Sequence, residues 1–151
     1  MAIQKKSKNE IAVELAFLMQ ELRNLTRKYI QKKIKDHGIN LTYEMLEVMG
    51  SLWRKDGLNQ QEIADKTLRD KSSMTYLLDN LIKRKLVKRS ADENDRRNKL
   101  IFLTKEGLAL KDILYPWVAE VYGQASVEIA TQDLQNGLLL ISRMVSNLKK
   151  E

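Results

Sequence analysis

The sequence predicts a mainly α-helical protein with one small β-hairpin. Three observations predict it. Segments with apolar residues at helical spacing occupy both ends of the chain. Residues 58–83 hold a short capped helix, a tight turn and a second amphipathic helix. Directly after them, two β-prone runs of strand length flank a charged tip.

The first element runs from Asn9 to about Lys35. Ile11, Leu15, Leu18, Leu22, Leu25, Tyr29 and Ile34 trace one persistent apolar stripe, with no Pro or Gly to interrupt it. Gly38 offers a stop. Thr42 then caps a helix to about Arg54, whose buried side is Met45, Leu46, Val48, Met49, Leu52 and Trp53. Gly50 inside that helix costs about 1 kcal/mol relative to alanine, and close packing against another helix is the expected reason.

Asn59 and Glu62 form a capping box for the next, short helix, with Leu58, Ile63, Ala64 and Leu68 available to pack beneath its successor. Asp70 stands at the N-cap of that successor. Met74, Leu77, Leu78, Leu81 and Ile82 make its apolar stripe, while Ser72, Tyr76, Asp79 and Lys83 fall on the opposite side, flanked by Ser73, Thr75 and Asn80. These hydroxyls, amide, phenol and cation can all hydrogen-bond to base edges or phosphate oxygens. A solvated helix face is the bland alternative.

Leu86–Arg89 and Leu100–Leu103 read as strands, and Ser90–Lys99 as the polar tip between them. Helix, turn, helix and hairpin in this order describe a winged helix-turn-helix, which lays one helix in a DNA groove and a loop beside it. Arg96 and Arg97 at the tip suit a narrow minor groove; Arg97 is favoured, and the choice between them stays open. Asp92, Glu93 and Asp95 do not serve a purely cationic patch. Asp95 is expected to orient an arginine through a charge-assisted hydrogen bond.

Thr104, with Glu106 in the first turn, starts a further helix carrying Leu108, Leu110, Ile113, Leu114, Trp117, Val118, Val121 and Tyr122. Pro116 should kink or divide it. Thr131 is expected to cap a last helix through about Leu148. There Leu134, Leu138, Leu139, Ile141, Met144, Val145 and Leu148 cover more than one stripe. So much apolar surface exceeds what one domain buries, and helices of a second copy are the simplest cover. A two-fold dimer also sets two reading helices roughly 34 Å apart, in successive major grooves.

Residues 58–107 resemble the DNA-binding lobe of the multiple-antibiotic-resistance regulator (MarR) family of transcription factors. The resemblance is carried by Gln61-Glu62-Ile63-Ala64, Asp70-Lys71-Ser72-Ser73-Met74-Thr75, Leu81-Ile82-Lys83-Arg84-Lys85-Leu86-Val87-Lys88-Arg89, Asp95-Arg96-Arg97 and Leu103-Thr104-Lys105-Glu106-Gly107. Length and helical flanks are similar too. The resemblance implies one domain over residues 1–151, with 40–104 as the winged helix-turn-helix lobe and 1–37 and 105–151 as dimerisation helices. It implies a homodimer on double-stranded DNA at a pseudo-palindromic operator, usually a repressor and often released by a small molecule. Lys71, Ser72, Ser73, Thr75, Tyr76, Asn80, Lys83, Arg96 and Arg97 are the expected DNA-binding set. A small aromatic effector would meet Tyr29, His37, Met49 and Trp53, residues that core packing explains equally well. The chain departs from the family pattern in two places. Tyr76 stands where many members have an arginine, which removes a bidentate guanine contact. Thr67, Leu68 and Arg69 replace a more common Leu-Gly-aliphatic turn, and Leu68 argues against a glycine-type turn conformation.

Charge agrees. The formal net charge is +7, and 43% of residues are hydrophobic, normal for a globular chain. Residues 58–104 carry eleven Lys/Arg against seven Asp/Glu, and residues 1–40 nine against four. Residues 105–151 carry five against six, so basic charge lies away from the C-terminal helices. The chain has no cysteine, which excludes thiol-based peroxide sensing as in one branch of the resembled family and fits a cytoplasmic location. The basic N-terminus has no apolar signal core, and no apolar run reaches membrane-spanning length. His37 is the one histidine, and no phosphate loop, nucleophile elbow or zinc spacing occurs, so neither catalysis, nor a metal, nor a cofactor is expected. The alternative to a DNA-binding regulator is a winged-helix protein–protein module whose basic face meets an acidic partner.

Overall fold

The computed structural model describes residues 5–150; residues 1–4 and 151 of the expected dimerisation flanks lie outside the described residues. Helix α1 (Lys8–Asp36) starts on a Ser7 capping box with Glu10 and ends at His37, ahead of Gly38 at φ 64°. Thr42 caps α2 (Tyr43–Arg54) through the Met45 N–H. Then follow β1 (Leu58–Asn59), α3 (Gln60–Thr67), α4 (Lys71–Lys83), β2 (Val87–Ala91) and β3 (Lys99–Leu103). The chain closes with α5 (Lys105–Ala125) and α6 (Thr131–Leu148). By internal packing it divides within α5, after Ala119.

The expected hairpin is β2–β3, antiparallel, with Val87 opposite Leu103 and Ala91 opposite Lys99. A third, two-residue strand joins it: Leu58 pairs with Ile101 and Asn59 with Leu100, giving the order β1-β3-β2. This edge anchors the start of α3 to the base of the wing. Asn59 is at once the last residue of β1 and the N-cap of α3.

The core of the lobe fuses these elements. Met45, Val48, Met49 and Leu52 of α2 meet Ile63 and Ala64 of α3, Met74, Leu77, Leu78 and Leu81 of α4, and Val87 and Ile101 of the sheet. Each large side chain so buried contributes about 1.5–3 kcal/mol relative to exposure. The four from α4 therefore fix which side of that helix faces inward. A second cluster joins Ile30 and Ile34 of α1 to Leu46, Leu114 and Trp117.

Three expectations are corrected, and a fourth, for Pro116, is narrowed. Leu68 does adopt the glycine-type conformation, at φ 52° and ψ 47°, so the turn keeps its left-handed C-cap without a glycine. Gly50 is not required by close packing, because a Cβ there would meet nothing within 4 Å. Pro116 does not divide α5, which is continuous from Lys105 to Ala125. The N-cap of α6 is Ala130, which makes no side-chain cap bond, and Thr131 is the first helical residue.

Gly107, by contrast, is dictated by contact. A Cβ at this position would lie 2.0 Å from the Leu86 carbonyl oxygen. Its own carbonyl accepts a 3.0 Å hydrogen bond from Trp53 Nε1, and its N–H donates to the Thr104 hydroxyl. Absence of a side chain lets α5 start hard against the end of the helix-turn-helix.

Candidate nucleic-acid interface

The inward stripe of α4 fixes its outward face by the 3.6-residue period. Ser72, Tyr76, Asp79 and Lys83 lie opposite Met74, Leu78 and Leu81, and all four are exposed. Tyr76 is 66% exposed, large for an aromatic on a folded lobe. Asp70 caps the helix, accepting from the Ser73 N–H at 2.7 Å and the Ser73 hydroxyl at 3.1 Å. The backbone N–H of Ser73 and then its hydroxyl hold the Asp70 carboxyl below its ordinary range.

The remaining expected residues divide by what they already hold. Lys71 and Ser72 are exposed in the first turn. Ser73 belongs to the cap. The Thr75 hydroxyl donates to the Lys71 carbonyl and accepts from Gln60 Nε2 at 2.7 Å, which pins α3 to α4. Asn80 is half-buried; its amide donates to the Tyr76 carbonyl, and its Oδ1 accepts from Arg84. Arg84 in turn reaches the Asn40 carbonyl at 3.0 Å, so Asn80 lies in a chain that ties α4 to the loop before α2.

At the wing, carboxylates organise backbone. Asp92 accepts from the Asn94 N–H, and Asp95 from the Arg97 N–H, both at 3.0 Å. Asp95 thus orients Arg97 through the main chain instead of through its guanidinium. Arg96 and Arg97 both stand exposed at the tip.

Two residues that the sequence reading missed complete the surface. Arg89 on β2 pairs with Asp79 on α4 at 2.8 Å, joining wing and helix and offsetting the one negative charge on the outward face. Strand alternation held the signal: Arg89 shares a sheet face with Val87, which packs toward α4. Gln60 carried no local signal, since its partner lies fifteen positions along the chain.

The four residues expected at an effector cleft differ in access. Met49 is fully buried in the lobe core and offers no surface to a ligand in this conformation. Trp53 is half-buried, edge-on to Tyr115 at 5.9 Å. His37 is exposed and packs on Trp117 at 4.6 Å, its Nδ1 2.8 Å from the Lys33 carbonyl oxygen. Tyr29 is half-buried under the Lys33 ammonium. Among the described residues no group of acids, histidines or cysteines is placed to hold a metal, and no helix is long and apolar enough to cross a membrane.

A capped helix with a polar outward face, braced by a second helix and flanked by an arginine-tipped hairpin, defines a winged-helix DNA-binding transcriptional regulator. Residues 41–99 match the model of the MarR family. The HTH-type transcriptional regulator SarZ of Staphylococcus aureus (strain USA300) is 30% identical over 132 residues, covering 83% of this chain and 89% of that protein. Among solved structures, a MarR-family transcriptional regulator from Silicibacter pomeroyi superposes with a TM-score of 0.79 at 24% identity, over 94% of this chain and 96% of that one. The S. aureus MepR–DNA complex gives a TM-score of 0.71 at 24% identity, over 87% and 96%. The chain belongs to the MarR family, whose members are transcriptional regulators and not enzymes.

Proposed function

We propose that the protein is a cytoplasmic, dimeric repressor that binds a pseudo-palindromic operator through α4 and the wing. One observation carries this reading. Ser72, Tyr76 and Lys83 project from one face of α4, and among the described residues their side chains make no hydrogen bond to the rest of the chain. Lys71 lies in the first turn of the same helix, and Ser73, Thr75 and Asn80 brace that surface from the cap, α3 and the loop before α2. Arg96 and Arg97 extend it from the wing. A tyrosine on the outward face reads bases by its ring and hydroxyl, without the paired donors of a guanidinium.

Apolar surface without cover supports the dimer. Along α1, Val13, Phe17, Leu18 and Leu25 are exposed, Phe17 by 72%. Helix α6 buries none of its side chains and exposes Leu138, Leu139 and Leu148. Exposed apolar side chains in such number on a helix are characteristic of an interface between subunits. The segments 1–37 and 105–151 are thus assigned to dimerisation and 40–104 to DNA, within one domain. For the effector, Tyr29, His37 and Trp53 supply aromatic and polar surface, with Met49 as the packed floor.

The test is binding of duplex DNA from the protein's own promoter region against bulk competitor. Arg97→Ala should weaken binding by roughly tenfold and lower the salt slope by about 1 if it contacts phosphate, or relax A·T preference if it reads the minor groove. Tyr76→Ala should change which sites are preferred. Unaltered affinity and preference in both variants would refute the assigned face. Operator release by aromatic carboxylates, alongside a thermal shift, tests the effector; release by none of them would leave Tyr29, His37 and Trp53 as packing residues.

A further inference from the structure

Helix α1 and two elements of the lobe converge on a single carboxylate. Glu47 lies on α2, its side chain only 16% exposed. Its Oε1 accepts from Arg23 of α1 at 2.6 Å, and its Oε2 from Arg69 in the turn between α3 and α4. One helical turn away, Arg27 of α1 pairs with Glu44 of α2, and the Arg27 guanidinium also lies over the Tyr43 ring at 5.0 Å. Arg23 and Arg27 are four residues apart, and Glu44 and Glu47 three, so each pair shares a helix face and the two faces meet. Burial raises the Glu44 carboxyl, but its own backbone N–H and the charges of Arg27 and Arg69 outweigh this and hold it below its ordinary range.

The placement of Arg69 gives the cluster its consequence. Arg69 follows Leu68, the left-handed C-cap of α3, and precedes Asp70, the N-cap of α4. Its N–H donates to the Ala64 carbonyl, and its side chain is mostly buried at 22% exposure. The first turn of α4 is thus tied through two residues to α2, and through the other oxygen of the same carboxylate to α1. A carboxylate shared by two guanidiniums is a directional, charge-assisted junction. Removing its charge leaves the mostly buried Arg69 without its carboxylate, beside an Arg23 that is 60% exposed.

We propose that Glu47 is a positioning residue for DNA binding: by holding Arg23 and Arg69 together it fixes the angle of α4 relative to α1, and so the separation of the two reading helices in a dimer. The proposal rests on the dimeric DNA-binding reading above. Successive base pairs lie about 3.4 Å apart along the duplex, so a small rotation of the lobe changes which half-site spacing is engaged. Glu47 touches no base in this role. Its signature is spacing tolerance, with half-site sequence unchanged.

The experiment measures binding to three duplexes that share the half-sites and differ by one base pair in the central spacer, with dimer mass followed by sedimentation. Wild-type protein is expected to bind the best spacer roughly tenfold more tightly than its neighbours. Glu47→Gln should compress that discrimination to about threefold or less, while the penalty for a mutated half-site and the dimer mass stay as in wild type. Arg23→Met cuts only the α1 arm and should compress it likewise, which keeps the proposal testable if Glu47→Gln does not fold. A folded, dimeric variant that keeps full spacer discrimination overturns the proposal and leaves the regulator reading intact. Wild-type protein that is monomeric or indifferent to spacing overturns both.

Discussion

Replacing Leu68 by glycine should stabilise the protein. The residue sits at φ 52° and ψ 47°, where a Cβ crowds the following carbonyl. That conformation costs an L-residue about 1–2 kcal/mol. Ordinarily a buried side chain offsets such a cost, but Leu68 is 89% exposed, so its removal sacrifices almost no packing. Glycine brings its own penalty, about 0.4–1 kcal/mol from the freedom it adds to the unfolded chain. The difference is a gain of about 0.5–1 kcal/mol, or roughly 1–4 °C in the unfolding midpoint for a chain of this size. Thermal unfolding at fixed protein concentration measures it, with Leu68→Ala as control, since alanine keeps the Cβ and should gain little. Glycine and alanine variants of equal stability, or a glycine variant less stable than wild type, would refute the reasoning.

Other outcomes follow from the same structure. Gly50→Ala should raise stability by about 1 kcal/mol in denaturant titration, because the helical site has room for a methyl group. Gly107→Ala should destabilise by at least about 2 kcal/mol in the same assay, since the Leu86 backbone blocks the added carbon. Asp70 has a lowered pKa in the folded state, so its capping contribution is present above the unfolded-state pKa and disappears as pH falls through the folded value. Asp70→Asn keeps an acceptor for the Ser73 N–H but does not titrate. Its stability should therefore vary less steeply than wild type on the acid side of the ordinary carboxylate range, and an unchanged slope would contradict the assigned cause.

What the sequence disclosed was mostly local. Asn59 with Glu62, Thr42, and Asp70 were legible as caps because each acts on a backbone N–H three residues away. The inward face of α4 was legible because one period governs Met74, Leu77, Leu78 and Leu81. The turn at Leu68 was misjudged because intrinsic steric preference yields where packing on both sides fixes the path of the chain. At Thr131 a good capping chemistry sits one residue too late, and Ala130 takes the cap geometry without supplying an acceptor. Strand β1 is two residues long and shows no alternation to detect. The junctions at Asp79–Arg89, Gln60–Thr75 and Arg23–Glu47–Arg69 join residues 10 to 24 positions apart, beyond the reach of local spacing.

Two copies related by a dyad are expected each to lay the Ser72–Lys83 face of α4 in a major groove. Selection of bound sites from random duplexes tests it most directly. The expected result is an inverted repeat with half-site centres separated by about one helical turn, 10–10.5 base pairs, or a multiple of it. Enrichment of a single unsymmetrical element, or of no element at all, would contradict it.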